Sequence, residues 1–375
     1  MSRLHSLLNV LLGAALAGVL FACRAAAPEA ATGAPATTPP APAAGARQET
    51  PSAPLATHVP TPPQVFHLGG QAPATDAGIF VAMDRGYFAE QGVDLDYVQF
   101  ASGSDMVPAL AMRQLDGAGI AVNAATINAV ARGIEIKAVA DKGSLAPGFG
   151  WEASLVRKDL WDSGRFQGPA DLRGLSLATT PPINGGAGFP ALERVLKQGG
   201  LTQDDLQQVE AMNFADLNAA LASGALDVAI QLEPLVQAAV AQGIAVRWRG
   251  LDEIYPNQQI GVIAYGPSIT VDNPSLGRAF MVAYLQGVRD YNRAFTTGED
   301  KSAIVAAIAK YSTVKDPKVI EAMAPIGLRP DGHVNVDSLI EDQQFYVEKG
   351  TVPTAVDMHQ LVDNSYVDAA LAQLP

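Results

Sequence analysis

Side chains able to do chemistry lie in Gly-, Ser-, Thr- and Asn-rich loops that lead into helical patterns. They are Thr75 and Asp76, Ser102 and Asp105, Asn123 and Thr126, then Thr180, Asn184, Gly185 and Gly186, and finally Asn213 with Phe214. The start of a helix leaves backbone N–H groups unpaired and partly positive, so polar or anionic groups bind there readily. Capping of the helix explains each loop taken singly. As a convergent set, the loops are better explained as the polar wall of a binding site. The glycines of Gly185-Gly186-Ala187-Gly188 would let a ligand approach the backbone closely. The Gly-Lys-Ser/Thr ending of a nucleotide-phosphate loop is missing from that run. Trp151, Phe214, Trp248 and Tyr265 fall near these loops or near the crossovers between halves, and Trp151 is the best placed to stack on a flat ligand. None of the loops holds Lys or Arg, which favours a neutral or weakly charged organic ligand over an inorganic anion.

Catalysis has no such constellation. His5, His58, His67, His333 and His359 are scattered, with no His-Glu-x-x-His or comparable metal spacing. No Gly-x-Ser-x-Gly elbow offers a serine nucleophile. Cys23 is the only cysteine, so thiolate zinc sites, cysteine nucleophiles and intramolecular disulfides are excluded from the mature fold. The reading is a binding protein, not an enzyme, with no cofactor. A formal net charge of −13 argues against nucleic acid and against an acidic lipid surface as partners.

The elements that must position these loops alternate. The spacing predicts strands over 64–69, 93–100, 119–122 and 136–140, with helices over 78–91, 105–115 and 125–132 between them. It then predicts strands over 175–178, 209–212, 227–232 and 245–248, with helices over 190–198, 215–223 and 234–241. Alternation of this kind means βαβ units around a parallel sheet. The second half repeats the first. Asp105-Met-Val-Pro-Ala-Leu110 leads to Leu115-Asp116 and to Gly133-Ile134, as Asp216-Leu-Asn-Ala-Ala-Leu221 leads to Leu226-Asp227 and to Gly243-Ile244. The expected fold is therefore α/β with two lobes and a ligand cleft between them, because open α/β sheets bind ligands beyond the carboxyl ends of their strands. Residues 64–150 would form the first part of lobe 1, 151–258 lobe 2, and 259–375 a return crossover and the rest of lobe 1. Trp151–Lys158 and Gln259–Gly266 would be the crossovers, and helices over 274–295 and 301–310 would cover the first lobe.

Residues 1–22 read as a secretory signal: Arg3 near the start, then a short apolar core over 7–20 with Asn9 as its one polar residue. That core is too short for a permanent span, which needs about 20 apolar residues. Leu20-Phe21-Ala22-Cys23 resembles a bacterial lipobox, which implies a lipid on Cys23 and attachment to the outside of the cell membrane. Residues 24–63, dominated by Ala, Pro, Thr and Ser, read as a semi-extended tether.

One segment carries a family resemblance: Asp76-Ala-Gly-Ile-Phe-Val-Ala-Met-Asp-Arg-Gly-Tyr-Phe-Ala-Glu-Gln-Gly-Val-Asp-Leu-Asp-Tyr97. It is similar to the opening of the substrate-binding proteins of nitrate, sulfonate and thiamine-precursor importers, with Val93 in place of the usual Leu. The repeated Asp105 and Leu115-Asp116 and the segment around Lys137 fit as well. The resemblance implies a type II periplasmic-binding-protein fold, a small-molecule ligand, a monomer, and an ABC permease with its ATPase as partners. Asn123-Ala-Ala-Thr-Ile-Asn-Ala-Val-Ala-Arg-Gly133 and the absence of basic loop residues resemble the vitamin branch, riboflavin ahead of a thiamine-precursor pyrimidine. Nitrate or sulfonate binding, or an enzyme or sensor on the same scaffold, are the alternatives. The cysteine-rich motif of the family's pyrimidine-synthesising enzyme is absent.

Overall fold

The computed structural model describes residues 61–181 and 183–374. The signal segment, Cys23 and the tether up to residue 60 lie outside the described residues. In chain order the elements are β1 (Gln64–Gly70), α1 (Ala77–Arg85), α2 (Tyr87–Glu90), β2 (Val93–Gln99), α3 (Gly103–Ala111), β3 (Gly117–Ala121), α4 (Ala124–Ala131) and β4 (Lys137–Ser144). Next come β5 (Glu152–Arg157), α5 (Lys158–Asp162), β6 (Ser176–Thr179), α6 (Phe189–Gln198), β7 (Gln208–Ala211), α7 (Phe214–Ser223), β8 (Val228–Leu232), α8 (Leu235–Ala241) and β9 (Ala245–Gly250). The chain continues through β10 (Gln259–Tyr265), α9 (Pro274–Thr296), α10 (Lys301–Tyr311), α11 (Pro317–Ala322), α12 (Val336–Glu348), α13 (Met358–Leu361) and α14 (Ser365–Leu371).

The strands form two sheets, ordered β2-β1-β3-β10-β4 and β7-β6-β8-β5-β9. Within each, the first three strands are parallel, and one antiparallel strand, β10 or β5, separates the third from the edge. The sheets are therefore mixed, not purely parallel. The stretches 151–158 and 259–266, expected as crossovers, are mostly these two antiparallel strands. The chain passes between sheets just before them, over 145–151 and 251–258. There Asn257 donates its N–H to Leu145 O at 2.7 Å, and Leu145 donates to Gln258 O at 2.9 Å.

The repeated sequence occupies equivalent places. His67 N donates to Asp116 Oδ2 at 2.9 Å where β1 meets β3, and Ser176 N donates to Asp227 Oδ2 at 2.9 Å where β6 meets β8. Gly133 and Gly243 both take positive φ at the helix ends that lead to the next strand. Each aspartate fastens the start of one strand to its neighbour by a charge-assisted bond. Asp227→Ala should lower stability by about 1–3 kcal/mol, the cost of leaving the N–H of buried Ser176 unpaired, and Asp116→Ala by less, because His67 is exposed. The loss should be larger at Asp227, which also pairs with Arg157 at 2.9 Å. Urea midpoints measure it, and two unchanged midpoints would remove these bonds from the account.

The helix expected over 78–91 breaks at Gly86, whose φ of 79° ends α1 in a left-handed cap. On the first sheet, α9 crosses α1 at Gly287 and Gly78, where a Cβ at 287 would overlap the Gly78 carbonyl. Phe66 stacks on Phe280 at 4.4 Å and Tyr265 meets Phe280 edge-on, fixing α9 against β1 and β10. Among the described residues no helix is long and apolar enough to cross a membrane.

Candidate functional site

On the first lobe, polar side chains gather at the carboxyl end of β1 and the far end of β4. Asp76 does not cap α1. Its carboxylate pairs with Lys142 Nζ and accepts the Tyr97 hydroxyl at 2.5 Å. Lys142 Nζ also donates to Thr75 Oγ1 at 3.0 Å. Thr75, Asp76 and Lys142 are buried. Lys142 gets there because the register between β4 and β10 shifts: Gly261 faces Gly143 and Val262 faces Asp141, leaving Lys142 as the extra residue of a bulge. Its stem then lies across β3 at Gly119, where a Cβ would overlap Lys142 Cε. Burial, then the Asp76 charge, holds the Tyr97 phenol well above its ordinary value. Trp151 is buried beside this group, with Nε1 donating to Ser144 O at 2.9 Å and its ring against Gly143.

Asp141, next to Lys142, accepts Gln259 Nε2 at 2.7 Å and Arg329 N at 2.8 Å. Burial still pushes its carboxyl up to about 6.

On the second lobe, Glu152 opens β5 opposite Leu232, the last residue of β8, and Thr179 closes β6. Both are buried, and neither Glu152 Oε2 nor Thr179 Oγ1 finds a hydrogen-bond partner among the described residues. Burial alone pushes the Glu152 carboxyl up to about 8. Gln231, on β8, spans Phe214 O and Asn218 Oδ1 at 3.0 Å each.

The two lobes meet along a seam. Ala124 N donates to Gly185 O at 3.0 Å, Thr351 Oγ1 to Asn184 O at 3.0 Å, Gln258 Nε2 to Ala187 O at 3.0 Å, and Tyr346 OH to Gly186 O at 3.3 Å. Lys349 pairs with Glu193 at 3.0 Å, and Arg194 with Glu341. Two more buried acids line it. Glu233 accepts Ala324 N at 3.1 Å, with Arg247 at 3.5 Å, and Asp342 accepts Gln258 Nε2 at 3.0 Å. Burial raises each of these carboxyls to about 7.

The loop residues named from sequence separate into groups. Thr75, Asp76 and Trp151 come together around Lys142. Asn184, Gly185 and Gly186 lie on the seam, and a Cβ at 186 would overlap the Thr180 carbonyl. Asn123 caps α4, accepting Thr126 N at 3.1 Å, while Thr126 Oγ1 donates to Ala121 O at 2.9 Å, so both side chains are occupied locally. The α4 N-terminus faces the Gly185 carbonyl. Ser102 donates to Asp105 Oδ2 at 2.9 Å on an exposed rim. Asn213 is exposed and does not cap α7 with its side chain, and Phe214 is half-buried. Sequence reasoning gives no site role to Lys142, Tyr97, Glu152, Glu233 and Asp342. The available signal was the Asp141-Lys142 pair closing an apolar strand, and Glu152 opening another. The lobe 1 cation comes from a strand, where a survey of loops does not look. Among the described residues no group of three or more His, Cys, Asp or Glu side chains is placed to hold a metal ion.

The fold matches solved structures over most of its length. The alkanesulfonate-binding protein SsuA from Xanthomonas axonopodis pv. citri, bound to MOPS, is 18% identical with a TM-score of 0.64, covering 80% of this chain and 98% of that one. The periplasmic nitrate-binding protein NrtA from Synechocystis PCC 6803 is 14% identical with a TM-score of 0.69, covering 83% and 89%. The Candida albicans CA3427 gene product, described as having the generic periplasmic binding protein fold, is 13% identical with a TM-score of 0.58, covering 82% and 95%. At these identities the likeness is one of fold, and the fold is that of the periplasmic binding proteins. No curated protein matches the sequence. The family profile described as NMT1/THI5 like matches residues 74–293, from the loop before α1 to the last turn of α9, and the chain belongs to that family.

Proposed function

We propose that this protein is the extracytoplasmic substrate-binding component of an ABC importer, closing its two lobes on a small neutral heteroaromatic vitamin or vitamin precursor and delivering it to the permease and its ATPase. Riboflavin is the favoured ligand and a thiamine-precursor pyrimidine the next. The single observation that carries the reading is the seam itself. The loops that follow β3 and β6 hydrogen-bond to one another, Ala124 N to Gly185 O at 3.0 Å, and the buried Glu152 Oε2 and Thr179 Oγ1, at the start of β5 and the end of β6, have no partner among the described residues. Family membership and the likeness to SsuA and NrtA support the transport role.

The ligand class follows from charge. Lys142 is already matched by Asp76, while Glu152, Asp141, Glu233 and Asp342 are acids buried in or beside the seam. An anion entering there finds no unmatched cation and takes its own charge out of water, which is costly. A neutral ring with N–H and acceptor atoms meets donors and acceptors instead. Thr75, Asp76, Trp151, Asn184, Gly185 and Gly186 are the sequence-named residues best placed to line such a site; Ser102, Asp105, Asn123, Thr126, Thr180, Asn213 and Phe214 would shape its rim. A second reading, a sulfonate or nitrate ligand, is favoured by the buried Lys142 and by the two relatives' ligands. Under either reading the protein acts as a monomer held at the membrane by a lipid on Cys23, without turnover of its ligand.

Isothermal titration of the purified protein with riboflavin, the aminopyrimidine of thiamine, an alkanesulfonate and nitrate tests the proposal. Saturable binding of one of the first two, with no product formed, is the expected result. Binding of sulfonate or nitrate alone would replace the vitamin reading, and four flat titrations would end it.

A further inference from the structure

The stretch that follows α11 is fastened to both lobes. Residues 323–329 read Met-Ala-Pro-Ile-Gly-Leu-Arg, with Met323, Ile326 and Leu328 buried. Several of its hydrogen bonds go to the first lobe. On α9, the Tyr291 hydroxyl accepts Ile326 N at 2.6 Å and Asn292 Nδ2 donates to Leu328 O at 2.9 Å. On β4, Ser144 N donates to Gly327 O at 2.8 Å and Asp141 Oδ2 accepts Arg329 N at 2.8 Å. Gly327 lies so close to β4 that a Cβ there would overlap the Ser144 carbonyl.

The bond from Ala324 goes the other way. Its N–H donates to Glu233 Oε1 at 3.1 Å, and Glu233 belongs to the second lobe, between β8 and α8. Glu233 is itself held firmly there. Its Oε2 accepts Gln237 N of α8 at 2.9 Å, and its own N–H donates to Trp151 O at 2.8 Å. Arg247, on β9, faces Oε1 at 3.5 Å and donates Nη2 to Gly150 O at 2.7 Å, on the first passage between the sheets. Glu233 is 1% exposed, so water does not compete for its oxygens. Just before this stretch α11 packs against α8, which follows Glu233. The stretch is thus anchored in one lobe and caught by the other beside their pivot. It is separate from the two passages over 145–151 and 251–258, so chain connectivity does not force the contact.

We infer that residues 323–329 are a strap and Glu233 its catch, which together hold the lobes against one another before any ligand arrives. Two lobes joined by short passages can swing about them, and the orientation they favour is set by contacts outside the hinge. Opening that carries Ala324 away from Glu233 gives both groups to water, so the bond biases the lobes toward closure without locking them. The strap's many bonds to α9 and β4 fix which side moves: it stays with the first lobe, and the second lobe lets go. The inference concerns the empty protein and holds for any ligand class.

The test uses the unliganded full chain with Cys23→Ser as background, spin-labelled through Lys197→Cys and Gln344→Cys. Both residues are exposed, and their helices, α6 and α12, are joined across the seam by the Arg194–Glu341 and Lys349–Glu193 pairs. Pulsed electron resonance reads the distance between the labels. The background protein should show a single narrow population. Glu233→Leu leaves the Ala324 N–H buried without an acceptor in the closed form alone, so the ratio of open to closed protein should rise about tenfold or more and a second, longer distance should appear. Ala324→Pro removes the donor and leaves Glu233 in place. Met323 before it already has the extended backbone, with ψ 153°, that a following proline demands. This variant should show the same longer distance, and a cooperative melt of each variant establishes that the distance is read on folded protein. An unchanged narrow population in both variants would overturn the catch, as would a background protein already spread over both distances. Opening in Glu233→Leu without opening in Ala324→Pro would assign the effect to Gln237 and Arg247 within the second lobe and overturn the strap. None of these outcomes turns on what the cleft binds.

Discussion

Replacing Lys142 by methionine is expected to destabilise the protein by about 3–5 kcal/mol, the typical loss when one partner of a buried ion pair is removed. The size follows from the surroundings. Lys142 and Asp76 are both almost wholly enclosed, so the carboxylate left behind in Lys142→Met has no water to turn to. Tyr97 donates to the same carboxylate at 2.5 Å and Thr75 accepts from the lysine at 3.0 Å, so the loss reaches β2 and the loop before α1 as well. Asp76→Leu should cost a similar amount, stranding an ammonium against Thr75. The double variant Asp76→Leu/Lys142→Met buries no charge and should recover most of either loss, since a buried pair exchanged for apolar groups of similar volume is close to neutral. Denaturant unfolding of the two single variants and the double completes the cycle. Additive losses, with no recovery in the double variant, would show that the pair is not a unit and that its groups act through other contacts.

That pair also marks the limit of what the sequence discloses. The repeated Asp116 and Asp227 are legible because they recur at the same place in a repeated pattern, and the structure gives them the same partner, the N–H of a first strand. Apart from β5, α5 and β10, strand and helix positions through α10 follow from periodicity, a local property. Lys142 is not legible in this way. Its position depends on a bulge opposite β10, more than a hundred residues later in the chain, and on the absence of a side chain at Gly119. The two antiparallel strands fail for a related reason. Glu152–Arg157 and Gln259–Tyr265 are short apolar runs, and nothing within them says whether they join a sheet or cross between sheets. The loops are polar and lie close to helix starts, as their composition indicates, but a donor at one of them is shared with the opposite lobe. Ala124 N faces the Gly185 carbonyl, and two separate stretches of sequence do not reveal such a contact.

The unliganded protein should lose stability as pH rises from about 4.5 to about 8. Glu152, Glu233 and Asp342 carry folded-state values raised to about 8, 7 and 7 from ordinary values of 4.5, 4.5 and 3.8, in each case chiefly by burial. Through that window the unfolded chain has released protons that the folded chain still holds. Stability then falls with increasing pH, being fully present below the unfolded values and lost as each folded value is passed. One pKa step is worth about 1.4 kcal/mol, so a single carboxyl of this kind contributes about 3 kcal/mol or more between the two ends of the window. Exposed carboxylates held low by their partners, Asp159 by Arg157 and Asp205 by the Thr202 backbone, act in the opposite sense but titrate below it. Urea midpoints at pH 5 and pH 8 measure the difference, and a flat or rising profile would mean that these acids are ionised and solvated in the folded protein. Glu152→Gln apportions the effect. It should remove most of the slope near pH 8 and reduce it below pH 7, where Asp141, Glu233 and Asp342 still contribute.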